Sequence, residues 1–245
     1  MGTDFVPSGR FGVLRLKGST SNGNEDAGSA QGKAWGDFCP RGCGLTGLQF
    51  PLDDTGLARL AACCTHLARW HGLRDRAPAG SLLNDKVRIE IVPVAATEKV
   101  VPADRAPIAL SDGIVALQYD GGKGPRVQIR LRNDSNVRLY VALLDLTNSF
   151  KCSKWFGEWI PAGGTGYAYG RKVIQMKVAD WREPAVRSVT DYLKAVVSIV
   201  DFDPERWNLP ALLPYVPTRD VEPDGDDEEP QALWGTTLLK VVTTR

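Results

Sequence analysis

The sequence predicts a mainly β protein: an antiparallel β-sandwich of Ig-like or jelly-roll-like type, preceded by one amphipathic helix. From residue 86 onward, short runs alternate apolar with polar residues, which is the pattern of half-buried antiparallel strands. Gly, Pro and Asn turns separate these runs, as they do in sandwiches. We therefore expect a flexible or irregular lead-in at 1–50, a helix and linker at 51–85, and the β-sandwich domain at 86–245.

The composition is that of an ordinary globular chain. With 245 residues and 43% hydrophobic content, the chain can bury a core without help from a metal or a disulfide. The net charge of +1 gives no general reason to expect nucleic acid, and no run reaches the roughly 20 apolar residues of a membrane helix. Five cysteines, an odd number, fit the reducing cytoplasm. We expect a cytoplasmic protein without a cofactor that binds neither nucleic acid nor a membrane.

Two polar segments should lie outside the core. Residues 18–32 are rich in Gly, Ser and Asn and are typical of a flexible linker. Residues 219–230 hold seven acidic side chains and Arg219, a charge of −6 that leaves +7 on the rest of the chain. Such a run is typical of a solvated loop. The functional alternative is a docking tail, or a pseudo-ligand for the protein's own basic surface.

One helix is predicted from about Asp54 to His71. Its apolar residues and a histidine recur at three- and four-residue spacing, which places on one face Leu57, Leu60, Cys64, Leu67 and His71. Asp54 or Thr55 can cap the helix and Gly72 can end it.

Strands are predicted by the alternating or β-branched runs at 87–92, 114–119, 126–132, 137–146, 173–178, 193–199 and 233–244. The segment 189–200 also fits a helix, but its β-branched second half favours a strand. The turn 133–136, N-D-S-N, is rich in residues that bond their own backbone, so 126–132 and 137–146 should form a hairpin. Because both faces of 137–146 are largely apolar, we expect a central strand that is covered on both sides.

Cysteine and histidine side chains are the first candidates for chemistry. A zinc site is conceivable from C-x3-C at Cys39 and Cys43 together with the helical residues Cys63, Cys64, His66 and His71. Zinc sites usually combine two tight ligand pairs, so we favour small buried cysteines and a core-edge histidine. Cys152 lies between Lys151 and Lys154, which could lower its pKa. It has no base nearby in the sequence, which favours a structural thiol.

The segment K-W-F-G-E-W holds Trp155, Phe156 and Trp159 just after the most apolar run. Aromatic side chains clustered in a surface loop can stack on sugars, bases or a protein partner. They can equally close one end of a sandwich. Of all the residues in this chain, these three are our candidates for partner binding.

Several segments together carry a resemblance to one family. They are A-R-L-A-A-C-C-T-H-L-A-R-W-H-G-L-R-D, V-R-I-E-I, N-D-S-N-V-R-L-Y-V-A-L-L-D-L-T-N-S-F-K-C, W-I-P-A-G-G-T, T-D-Y-L-K-A-V-V-S, D-F-D and W-G-T-T-L-L-K-V-V-T-T. Over residues 55–245 the chain resembles the C-terminal β-rich region of bacterial caspase-like (peptidase C14 type) proteins. The resemblance implies that 193–199 is a strand, that L-Y-V-A-L-L-D-L is the sandwich core, and that the region acts beside a catalytic domain.

The peptidase motifs of that family are missing. G-D-F-C-P-R-G around Cys39 is similar to its Asp-x-Cys-x-x-Gly stretch, but no histidine precedes Cys39 to serve as a base. Our main hypothesis is a non-catalytic β-sandwich module of a caspase-like protein that recognises a substrate or partner, or positions a peptidase domain. An autonomous carbohydrate- or protein-binding module is the alternative, and a zinc-dependent or cysteine hydrolase is a weaker one.

Overall fold

The computed structural model describes residues 8–9, 12–17, 35–40, 48–99, 101–178, 187–212 and 233–245. The acidic segment 219–230 and Cys43 lie outside the described residues. The chain divides into two compact units, residues 1–71 and 72–245.

The first unit contains a four-stranded antiparallel sheet in the order β1-β2-β3-β4. Its strands are β1 (Ser8–Gly9), β2 (Gly12–Lys17), β3 (Trp35–Pro40) and β4 (Leu48–Pro51). The described part of 1–50 therefore contains paired strands, where the sequence favours an irregular lead-in. The Gly- and Ser-rich residues 18–32, which suggested an irregular segment, lie in sequence between β2 and β3. These two strands pair with each other, with Val13 opposite Cys39.

Helix α1 runs from Asp54 to Asp75, beyond the expected end at Gly72. Asp53 caps it, because its Oδ1 accepts a hydrogen bond of 2.8 Å from the Gly56 backbone N–H. The buried residues of the helix are Gly56, Cys63, Leu67 and Trp70. The prediction of the buried face is therefore wrong. The buried face is rotated about the helix axis relative to the predicted one, and Leu57, which belongs to the predicted face, is 53% exposed. A β-carbon at Gly56 would overlap the Pro51 carbonyl oxygen, so a glycine lets β4 approach the first turn closely.

The second unit holds the remaining strands, which are β5 (Val87–Pro93), β6 (Ile114–Gln118), β7 (Arg126–Asn133), β8 (Leu139–Leu146), β9 (Cys152–Ile160), β10 (Thr165–Tyr167), β11 (Ile174–Gln175), β12 (Ser188–Ser198) and β13 (Trp234–Thr244). One sheet has β5 on one side of β7 and the short β10 and β11 on the other. The other sheet has five strands in the order β6-β13-β12-β8-β9, with β6 parallel to β13. The ambiguous segment 189–200 is mostly strand.

One hydrophobic core joins residues of both sheets. It includes Val87, Ile89, Ile91, Val127, Ile129 and Leu131 from the first sheet and Leu139, Val141, Leu143, Leu193, Ala195, Val197, Leu239 and Val241 from the second. Alternate residues of each strand supply these side chains because successive residues point to opposite faces. The β-sandwich with one preceding helix is confirmed. Strand β8 lies between β12 and β9, and nearly all of it is buried on both faces, as predicted.

The predicted hairpin between 126–132 and 137–146 is wrong. Strand β7 belongs to one sheet and β8 to the other, so residues 134–138 cross between the sheets. Asn133, which is fully buried, holds this crossing. Its Nδ2 donates to the Val137 carbonyl oxygen at 2.8 Å, and to the carbonyl oxygens of Ile160 and Pro161 at 3.1 Å. The last two lie where β9 ends and the chain crosses back, so a single amide joins both crossings.

Candidate functional site

The aromatic residues Trp155, Phe156 and Trp159 lie on strand β9 and not on a loop. Phe156 is 9% exposed and belongs to the core. Trp155 is half-buried, packs against the core and contacts the ring of Tyr169, with centroids 5.4 Å apart. Trp159 contacts Tyr140 instead. The structure therefore separates the three side chains, which do not form one surface.

An irregularity in strand pairing explains this separation. Leu143 of β8 pairs with Phe156 and Leu144 pairs with Lys154, which leaves Trp155 as an extra residue in a β-bulge. Because of the extra residue, Trp155 and Phe156 both contact the core. Trp159 pairs with Tyr140, which alternates with the core residues Leu139 and Val141. Trp159 therefore lies on the outer face of the five-stranded sheet.

A larger group of rings surrounds Trp159 on this outer face. Tyr140 contacts Trp159 with centroids 5.5 Å apart and Phe202 with centroids 4.9 Å apart. Phe202 in turn contacts Trp207 at 5.3 Å. We call Tyr140, Trp159, Phe202 and Trp207 the outer aromatic cluster. Each of these residues is partly exposed. Local sequence patterns do not single out Tyr140, Phe202 or Trp207. Phe202 and Trp207 are distant in sequence from Trp159, and Tyr140 belongs to a strand that the sequence predicts as core.

The segment after β12 carries two of these rings and is attached to the edge strand β9. Its 3₁₀ turn, Pro204–Trp207, is capped by Asp203, whose Oδ1 accepts from the Glu205 N–H at 2.9 Å. Glu205 forms an ion pair with Lys154 of β9. Leu209 exchanges backbone hydrogen bonds of 3.1 and 3.0 Å with Cys152. These bonds position Phe202 and Trp207 beside the sheet.

Charged groups border the outer aromatic cluster. The guanidinium of Arg138 lies 4.2 Å from the ring centroid of Trp159, and that of Arg206 lies 5.1 Å from the ring of Trp207. The Tyr140 hydroxyl donates to the Gly157 carbonyl oxygen at 3.3 Å. Burial raises the pKa of Tyr140, so its phenol stays neutral at ordinary pH. The cluster is therefore amphipathic, with an aromatic centre and charged edges.

The pKa values of three cysteines, Cys63, Cys64 and Cys152, are raised by burial. Burial raises the pKa of Cys152 to about 12 and the pKa of Cys63 to about 11, so both are thiols at neutral pH. Burial also raises the pKa of Cys64. In the part of the chain that the structure describes, no three His, Cys, Asp or Glu side chains are arranged to hold a metal ion.

Among the described helices, none is long and apolar enough to cross a membrane. No protein-family model matches the chain, and no curated protein matches it.

Proposed function

We propose that the 72–245 unit is a non-catalytic recognition module that binds a protein partner through the outer aromatic cluster. The observation that carries the proposal is the group of four partly exposed rings, Tyr140, Trp159, Phe202 and Trp207, bordered by Arg138 and Arg206. Trp, Tyr and Arg are the residues most enriched in the energetic centres of protein interfaces. A charged border around an aromatic centre is also the usual arrangement of such an interface.

The ring geometry favours a protein over a carbohydrate. Sugars stack on open, flat ring faces, whereas Tyr140 is nearly perpendicular to Trp159 and to Phe202, with interplanar angles of 79° and 74°. One face of Trp159 also carries the Arg138 guanidinium. An uneven surface of ring edges and guanidinium groups suits the side chains of a protein partner better than it suits a pyranose ring.

The resemblance to the β-rich region of caspase-like proteins suggests the first partner to test, a caspase-like peptidase domain. In that setting the module would recognise a substrate or hold the peptidase in position. The raised thiol pKa values of Cys63 and Cys152 support a role without catalysis in this chain.

The test is the affinity of the purified chain for a caspase-like peptidase domain from the same organism, measured by calorimetry. We expect Trp159→Ala and Phe202→Ala each to weaken binding about tenfold or more. The control is Leu110→Ala, which removes an exposed apolar side chain from another segment of the same unit and should leave affinity unchanged. A glycan array gives the competing outcome, because sugar binding that Trp159→Ala abolishes would favour a carbohydrate module. Peptide hydrolysis that Cys39→Ala abolishes would contradict the non-catalytic role.

A further inference from the structure

The side chain of Asp145 is buried near the end of the sandwich core. Asp145 continues the alternation of Leu139, Val141 and Leu143 on β8, so it lies on the core-facing side of the sheet. It is only 7% exposed. Within the described ranges, none of the hydrogen bonds or ion pairs includes its carboxyl. Such a group costs free energy unless something binds it.

Neighbouring strands bring further polar groups to the same place. Ser153 of β9 and Leu193 of β12 pair directly with Asp145. Asp191 lies two residues before Leu193 and therefore on the same side of β12 as Asp145. Its Oδ1 accepts a 2.9 Å hydrogen bond from the Asn148 backbone N–H. Two carboxyl groups thus face the same end of the core.

An aromatic pair lies beside these carboxyl groups. The side chain of Trp155 is on the core side of β9, two residues beyond Ser153, and its ring contacts that of Tyr169. Burial first, and then the charge of Asp145, raise the pKa of Tyr169. Tyr169 is 46% exposed and has a φ of 49°. The ring of Tyr169 is therefore accessible to solvent, whereas Asp145 is buried.

We propose that Asp145, Asp191 and the Trp155–Tyr169 ring pair form a binding site for an organic cation, an ammonium or a guanidinium group. A carboxylate supplies the opposite charge, and the faces of Trp and Tyr attract cations that have lost their water. The cation could be the side chain of a lysine or arginine residue in a bound peptide, or a free amine. This site lies on the opposite face of β9 from the outer aromatic cluster and is separate from it.

The composition of the site fits an organic cation better than a metal ion. Calcium takes six to eight oxygen ligands, whereas the described residues offer two carboxyl groups at this place and no arrangement of three acidic, Cys or His side chains. Aromatic faces contribute to binding an ammonium or guanidinium but not to coordinating a metal.

The raised pKa of Asp145 makes the proposed cation binding depend on pH. Burial first, and then the neighbouring Asp191, raise the pKa of Asp145 well above its usual value, while Lys151 lowers it. The pKa values of Tyr169 and Cys152 are also raised, mainly by burial and then by the charge of Asp145. An entering cation favours the ionised carboxylate, so binding should release a proton and strengthen as pH rises.

The experiment is a titration of the ¹⁵N-labelled chain followed by NMR at the Trp155 indole N–H. The probes are methylguanidinium and methylammonium, with methylurea as the uncharged isostere and calcium chloride as the metal. We expect a saturable shift with at least one organic cation, tighter binding at higher pH, and no saturation with methylurea. Which cation binds more tightly distinguishes a guanidinium site from an ammonium site.

Variants connect the response to the site. Asp145→Asn should weaken cation binding about tenfold or more, since it removes the central charge, and Asp191→Asn should weaken it less. The exposed Asp120→Asn is the matched control and should bind as the wild type does. No saturable response to either cation, an equal response to methylurea, a response to calcium alone, or full retention of binding in Asp145→Asn would each overturn the proposal.

Discussion

The ammonium of Lys194 donates a hydrogen bond of 2.6 Å to the carbonyl oxygen of Leu73, in the last turn of α1. It also donates to the carbonyl oxygens of Arg74, at 3.1 Å, and Arg76. Lys194 is 2% exposed, so its three N–H donors are all matched inside the 72–245 unit. Since carbonyl groups at a helix C-terminus are unpaired and carry partial negative charge, a buried cation is stabilised there.

Lys194→Met should destabilise the protein by about 2 kcal/mol at pH 7, because the carbonyl oxygens lose their donors. The effect should depend on pH. Burial lowers the pKa of Lys194 from 10.5 to about 8, so between these values the unfolded chain holds the proton more tightly than the folded one. Stability from this residue therefore rises with pH across that window, by about 3 kcal/mol in all.

Urea unfolding of the wild type and Lys194→Met from pH 7 to 10 measures this difference. The exposed Lys172→Met is the control and should show no pH-dependent difference from the wild type. A constant gap between the wild type and Lys194→Met over the whole range would show that the pKa of Lys194 is not lowered.

Arg130 should be the most sensitive arginine of β7. It is 4% exposed, and its guanidinium donates to the carbonyl oxygens of Pro102, Ala103 and Arg105 at 2.6 to 3.0 Å. We expect Arg130→Ala to lower the free energy of unfolding by about 3 kcal/mol, because buried carbonyl groups lose charged donors. The matched control Arg132→Ala removes an exposed arginine from the same strand and should cost about 0.5 kcal/mol or less. Thermal denaturation of the two variants measures both costs, and equal costs would contradict this role.

Asn133→Asp should destabilise the protein far more than the same change at an exposed asparagine. The Asn133 Nδ2 donates to three carbonyl oxygens at the two crossings between the sheets, and a carboxylate has no hydrogen to donate. Repulsion between oxygens and a buried charge should together cost about 3 kcal/mol or more. Asn136→Asp, at an exposed position of the same turn, should be nearly neutral. Urea titrations of both variants test this, and similar midpoints would show that the amide does not hold the crossings.

The error at this turn shows what local sequence could and could not predict. Residues 133–136 favour a change of chain direction, and the strands on both sides were predicted correctly. The same turn residues serve a hairpin and a crossing between sheets, and the interaction that distinguishes them joins Asn133 to Ile160 and Pro161, far along the chain. Strand periodicity is local, whereas strand pairing depends on such distant contacts.

The candidate site was harder to predict for the same reason. Trp155, Phe156 and Trp159 are close in sequence, but strand alternation and the bulge at Trp155 send them to different faces. Phe202 and Trp207 join Trp159 only because the 3₁₀ turn is attached to β9 through Lys154 and Cys152. Asp145 belongs to an apolar run, and its alternation with Leu143 would have placed it on the core side of the sheet.

Asp145→Asn should stabilise the unliganded protein at neutral pH. The folded-state pKa of Asp145 is raised well above the usual 3.8, chiefly by burial and then by Asp191. A carboxyl with a raised pKa contributes stability that is fully present below pH 3.8 and is lost as pH rises toward the folded-state pKa. At pH 7 the wild type therefore bears a cost that a neutral amide avoids, about 1 kcal/mol or more. Melting temperatures from pH 4 to 8 measure it: the advantage of Asp145→Asn should grow with pH, while Asp120→Asn should follow the wild type throughout. If Asp145→Asn is less stable than the wild type at pH 7, the carboxyl already has a stabilising partner in the unliganded protein. That result would contradict the proposed cation site.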